Sequence, residues 1–95
     1  MTSKQRAYLK SLAMTMDPIF QIGKSSLTPE NTKAIAEALE ARELIKLRVL
    51  ETSGYTAREA AEELAEKTNA EPVQCIGTKL VLYRAAKEPK IKLPR

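Results

Sequence analysis

Residues 18–34 read PIFQIGKSSLTPENTKA, and their order sets the course of the chain. Ile19 to Ile22 is a short apolar run, long enough for one strand. It passes into a polar turn, Gly23-Lys24-Ser25-Ser26, and then straight into a helix start. Thr28 is a suitable N-cap, and Pro29 suits the first helical position, where its missing N–H leaves no bond unmade. Ile35, Ala38, Leu39 and Arg42 then recur at helical spacing, with Glu37 and Glu40 on the outer face. A strand, a lysine-bearing corner and a helix therefore follow one another without a spare residue. The corner places Lys24 beside main-chain N–H groups, an environment suited to phosphate.

The same reading extends in both directions. Upstream, Thr2 and Gln5 form a capping box, and Leu9, Leu12 and Ala13 are the stripe of a helix whose other faces carry Lys4, Arg6 and Lys10. Asp17-Pro18 ends it. Downstream, Leu44 to Leu50 reads as a strand, with Ile45, Leu47 and Val49 inward and Lys46 and Arg48 on a wet, basic side. Ser53-Gly54 is a turn. Thr56 with Glu59 is a second capping box, opening a helix with Ala57, Ala60, Ala61 and Leu64 inward and Glu62, Glu63 and Glu66 outward. Val73 to Ile76 and Lys79 to Arg84 read as strands joined by Gly77-Thr78, a pair suited to a type II′ hairpin. The tail, KEPKIKLPR, is expected to lie extended on the surface or to move.

The expected fold is α/β: one compact domain spanning 1–95, with 86–95 a basic extended tail and the order α-β-α-β-α-β-β. The sheet is expected to be four-stranded and mixed, packed with helices. Strand–helix–strand units predict parallel neighbours, and the last hairpin adds an antiparallel strand. The polar positions of the second strand predict a sheet not fully covered on both sides.

Composition narrows the function. Histidine is absent, which removes the commonest general base and metal ligand. The single cysteine, Cys75, rules out an internal disulfide and a thiolate metal cluster, and reads as a small core residue. With no secretory signal and no apolar run of about 20 residues, the expected place is the cytoplasm, away from membranes. No catalytic residue, metal ligand, cofactor motif or small-molecule site stands out, so the chain reads as a non-enzyme. Glu43 and Glu51 flank the second strand and read as solvated.

Charge carries more information. The net charge is +4, but residues 1–24 sum to +3, 25–78 to −4 and 79–95 to +5. If the ends meet, one face is basic and the opposite face acidic, a pattern that suits a polyanion. A Walker A loop does not fit, because Pro18 stands where its first glycine belongs and the helix starts only at Thr28. A G-x-x-G turn of the kind that admits RNA phosphates fits better, except that Ser26 holds the fourth position. An ordinary polar corner with an exposed lysine stays open on these four residues alone. The four aromatic residues offer no stacking platform: Phe20 and Tyr83 read as core, and Tyr8 and Tyr55 have no assignment.

The segments ALEARELIKLRV, IGKSSLTPE and CIGTKLVLYRAAKEPKIKLPR together resemble the CRM domain family (chloroplast RNA splicing and ribosome maturation), in its small bacterial YhbY-like form. The likeness runs from LKSLA near residue 9 to the last arginine. It implies a fold like the C-terminal domain of translation initiation factor 3, and RNA binding without catalysis. The implied partner is ribosomal RNA in a precursor of the large ribosomal subunit, with ribosomal proteins as further partners. The family's GxxG loop falls on Gly23, Lys24, Ser25 and Ser26, with Ser26 departing from the second glycine.

The expected RNA contacts are Lys4, Arg6, Lys10, Gly23, Lys24, Ser25, Ser26, Lys46, Arg48, Lys79, Arg84, Lys87, Lys90 and Lys92. They would mainly meet phosphate, which gives affinity and placement rather than base choice. Taken singly, each lysine reads equally well as a solvating charge. The rival reading is a protein-docking adaptor on a ribosomal particle, using the acidic outer faces of the second and third helices.

Overall fold

The computed structural model describes residues 1–24 and 27–94. Three helices and four strands follow the expected order: α1 (Ser3–Ala13), β1 (Phe20–Ile22), α2 (Pro29–Arg42), β2 (Leu44–Val49), α3 (Ala57–Thr68), β3 (Glu71–Ile76) and β4 (Lys79–Tyr83). A single 3-10 turn, Glu51–Ser53, separates β2 from α3. The helix starts are set by side chains. Thr2 and Gln5 close one capping box and Thr56 and Glu59 another, while the Thr28 hydroxyl accepts from the Asn31 N–H. Each such cap stabilises a helix start by about 1 kcal/mol.

The strands form one mixed sheet in the order β1-β2-β4-β3. β1 and β2 are parallel, β2 and β4 antiparallel, and β3 and β4 antiparallel. The hairpin turns at Gly77, whose φ is +59°, while Thr78 keeps a negative φ, as a type II′ turn requires. One expectation of simple parallel succession changes here. β4 folds back between β2 and β3, so β3 lies at the edge. Cys75 is consequently exposed, not a core residue. β3 also starts two residues earlier than the sequence reading gave, and it includes Pro72. An edge strand tolerates proline because its outward side has no ladder bond to lose. A bulge lies between Pro72 and Gln74, and the Arg6 guanidinium donates to the Pro72 carbonyl oxygen.

Both faces of the sheet are packed. α2 and α3 cover one, burying Ile35, Leu39, Ala60, Ala61 and Leu64 against Ile22, Ile45, Leu47, Leu80 and Leu82. α1 covers much of the other, where Leu9 and Ala13 meet Leu44, Val73, Val81 and Tyr83. Ile91 and Leu93 of the tail pack on this second cluster. Phe20 is half-buried against the first cluster, and Tyr83 is buried in the second. Full burial of a large apolar side chain contributes about 1.5–3 kcal/mol, and the partly buried Ile91 and Leu93 contribute a fraction of that each, so the tail is part of the fold energetically.

Candidate nucleic-acid interface

The layers separate charge. α1 carries Lys4, Arg6 and Lys10 and no acidic residue. α2 and α3, on the far side of the sheet, together carry seven acidic and four basic residues. Ile91 and Leu93 pack the end of the tail on the α1 side, with Lys92 between them, whereas Lys87 and Lys90 lie against the C-terminal end of α2, bonded to Glu40 and Ala41.

The sheet adds three further cations to that side, of which Arg48 and Lys79 are exposed. Alternate strand residues share a face, so Lys46 and Arg48 project with Leu44, and Lys79 projects with Val81 and Tyr83. Leu44, Val81 and Tyr83 lie under α1, so this is the α1 face. Arg48 is the direct partner of both Gln21 and Lys79, and Lys79 is the partner of Ile76. All four side chains are exposed. They form an uncovered row at one end of the sheet, so the expected gap in coverage exists but is confined to this end. β1 leads from the row to Gly23 and the exposed Lys24. Ser25 and Ser26, named above as loop contacts, lie outside the described residues.

The eleven cations among the expected contacts thus fall into two kinds. Lys4, Lys10, Lys24, Arg48, Lys79, Lys87 and Lys92 are exposed. Among the described residues, no carboxylate pairs with any of these seven side chains. The other cations have internal tasks. The Lys46 ammonium donates to the Ala13 carbonyl (2.9 Å) and the Met16 carbonyl (3.2 Å), closing the C-terminal end of α1. The wet side expected for β2 is therefore partly covered, and Lys46 is half-buried. Arg84 donates through Nη1 to the Thr68 carbonyl (2.9 Å) and through Nη2 to the Ala36 carbonyl (3.0 Å), and it pairs with Glu40 at 3.6 Å. It ties the middle of α2 to the C-terminal end of α3. Arg6 caps the β3 edge, and the Lys90 ammonium donates to the Ala41 carbonyl at 3.4 Å.

Glu43 is the residue that sequence reasoning misplaced. It reads as solvated, yet its exposure is 0%. It ends α2 with φ +66°, a left-handed geometry that a non-glycine residue adopts only when its surroundings impose it. Its carboxylate accepts from the N–H groups of Ala86 (3.1 Å), Lys90 (2.5 Å) and Ile91 (2.9 Å). Burial alone would raise the pKa of this carboxyl. The three N–H donors and the nearby Lys90 charge outweigh burial and hold it below the ordinary value. No local signal in the sequence announces this, because the donors lie more than forty residues downstream. The tail is accordingly held to the fold by a buried anchor.

Among the described residues no group of three or more Cys, Asp or Glu side chains is arranged to hold a metal ion, and no helix is long and apolar enough to cross a membrane. The arrangement offers a rigid cationic side with no aromatic shelf: Tyr8 and Tyr55 are the exposed rings.

The chain belongs to the CRS1/YhbY (CRM) domain family, whose model matches residues 1–84. It is 45% identical over 95 residues to the "Probable RNA-binding protein YqeI" of Bacillus subtilis, covering 99% of each chain. It is 38% identical to an "RNA-binding protein" of Haemophilus influenzae, covering 100% of this chain and 96% of that one. The solution structure of the hypothetical protein SAV1595 from Staphylococcus aureus superposes with a TM-score of 0.78 at 46% identity, over 99% of each chain.

Proposed function

We propose that this chain is a non-catalytic RNA-binding protein that engages ribosomal RNA in precursors of the large ribosomal subunit and assists their assembly. The observation that carries the reading is the common side shared by α1, the uncovered row of the sheet and the tail, opposite the acidic helices. Lys4, Lys10, Lys24, Arg48, Lys79, Lys87 and Lys92 would meet phosphates, and the Gly23 main chain would let the backbone approach. Lys46, Arg84, Arg6 and Lys90 contribute by holding that surface in shape. The names of the relatives support RNA as the partner. The ribosomal target follows from the family resemblance.

A salt titration of binding to naked ribosomal RNA tests this reading. With about four phosphates engaged, log K falls against log salt with a slope near −3, at about 0.7 to 0.9 per phosphate. Replacing Lys24 by alanine weakens binding for all sequences alike. A flat salt dependence, or binding to RNA-free ribosomal protein in preference to RNA, defeats the proposal and favours docking through the acidic helices.

A further inference from the structure

From Arg84 to Pro94 the tail has no regular secondary structure of its own. Its order comes from a second-chain-segment anchor, a carboxylate sunk at the α2–β2 junction. Three tail N–H groups converge on the Glu43 side chain, and the Arg84 N–H donates to the Glu43 main-chain carbonyl at 2.9 Å. Glu40 adds one more bond by accepting from the Lys87 N–H at 2.9 Å. The Lys90 ammonium turns back onto α2, so it is spent on the anchor. The side chains of Lys87 and Lys92 alternate with these anchored positions and remain exposed. Ile91 and Leu93 then seal the α1 side of the core. An isolated segment with two prolines and this much charge would stay disordered in water, because it buries too little apolar surface to offset the entropy of ordering.

We infer that Glu43 is a positioning residue for RNA binding: it touches no RNA, but its buried carboxylate fixes the C-terminal tail so that Lys92, between Ile91 and Leu93, stands in the cationic layer beside α1 and Lys87 stands exposed where the tail leaves α2. This rests on the RNA-binding reading and adds to it a residue of opposite charge, buried, at the far end of β2 from Arg48, about 16 Å along the strand. The inference also joins two separate pieces of the sequence. The E-L-I-K segment supplies the acceptor and the K-E-P-K-I segment supplies the donors. Fixing the tail before RNA arrives removes the ordering penalty from the binding step.

The test is a double-mutant cycle on the full chain, with Glu43→Gln on one axis and Lys87→Ala with Lys92→Ala on the other. Binding to ribosomal RNA is followed over a range of salt, and amide exchange of Ala86, Lys90 and Ile91 by NMR. E43Q should speed exchange at those three amides and weaken RNA binding on the order of tenfold. The lysine pair should weaken binding in the native background, and lose most of that effect in the E43Q background. Full additivity, or native affinity in E43Q despite a released tail, overturns the inference while leaving RNA binding intact. Absence of RNA binding by the native chain overturns the function itself, whereas the exchange data still report the anchor. If E43Q does not fold, Lys90→Pro removes one donor from the tail side without altering the core. It should give the same loss of coupling, and unchanged coupling there also overturns the inference.

Discussion

Replacing Lys46 by methionine separates a structural lysine from an RNA-binding one. The change keeps the alkyl stem and deletes the ammonium that donates to the Ala13 and Met16 carbonyls. A hydrogen bond from a charged donor contributes about 1.5–3 kcal/mol net, and partial exposure of this amine favours the low end. Ala13 keeps a second donor, the Met16 N–H at 3.1 Å, so its carbonyl is not abandoned. A loss of about 2 kcal/mol is expected for the pair of bonds. For a domain of this size each kcal/mol shifts Tm by about 4–8 °C, so the midpoint should fall by about 8–16 °C. Thermal unfolding followed by circular dichroism gives the shift. RNA affinity, measured well below the new midpoint, should keep its salt slope, whereas Arg48→Ala should reduce the slope by about 0.7 to 0.9. If K46M melts like the native chain and instead loses salt dependence, Lys46 meets phosphate and the capping argument is wrong.

Two further outcomes follow from the same geometry. Arg84→Met should lower stability by about 2–3 kcal/mol, because it removes charged bonds to both α2 and α3 and leaves the helix-terminal Thr68 carbonyl short of a donor; an unchanged urea midpoint would contradict this. The depressed Glu43 carboxyl should make stability pH-dependent on the acid side. Its folded pKa lies below the ordinary 4.5, so its contribution is complete above that value and is lost as pH falls through the folded pKa. Tyr83 also faces it, and burial together with the Glu43 charge raises the phenol's pKa, so it stays protonated throughout that range and does not reverse the sign. Urea midpoints measured between pH 7 and pH 3 should decline below about pH 5, and the Glu43→Gln chain should decline less steeply.

The elements themselves were legible in the sequence, for local reasons. Thr2, Thr28 and Thr56 mark helix starts through side-chain caps, and Gly77-Thr78 marks a hairpin through backbone geometry. These signals are complete within four residues. What escaped was long-range. The alternation of Lys46 and Arg48 along β2 says only that one side is polar, not that α1 will cover the nearer lysine and leave the farther one open. Glu43 looks like any helix-terminal glutamate until the tail returns to it. Cys75 looks like a core residue until β4 inserts between β2 and β3. The basic side was foreseeable from the charge blocks, but the division of its cations between surface and scaffold depended on tertiary packing.

The outer rim of β3 has a consequence of its own. Small sheets with bare rims invite a neighbouring chain to continue the ladder and begin a fibre. Here the rim is spoiled over half its length: Pro72 lacks a donor, the bulge breaks the spacing, and Arg6 occupies the one carbonyl that a visitor would seek. Pro72, the bulge beside it and Arg6 thus close that route to clumping.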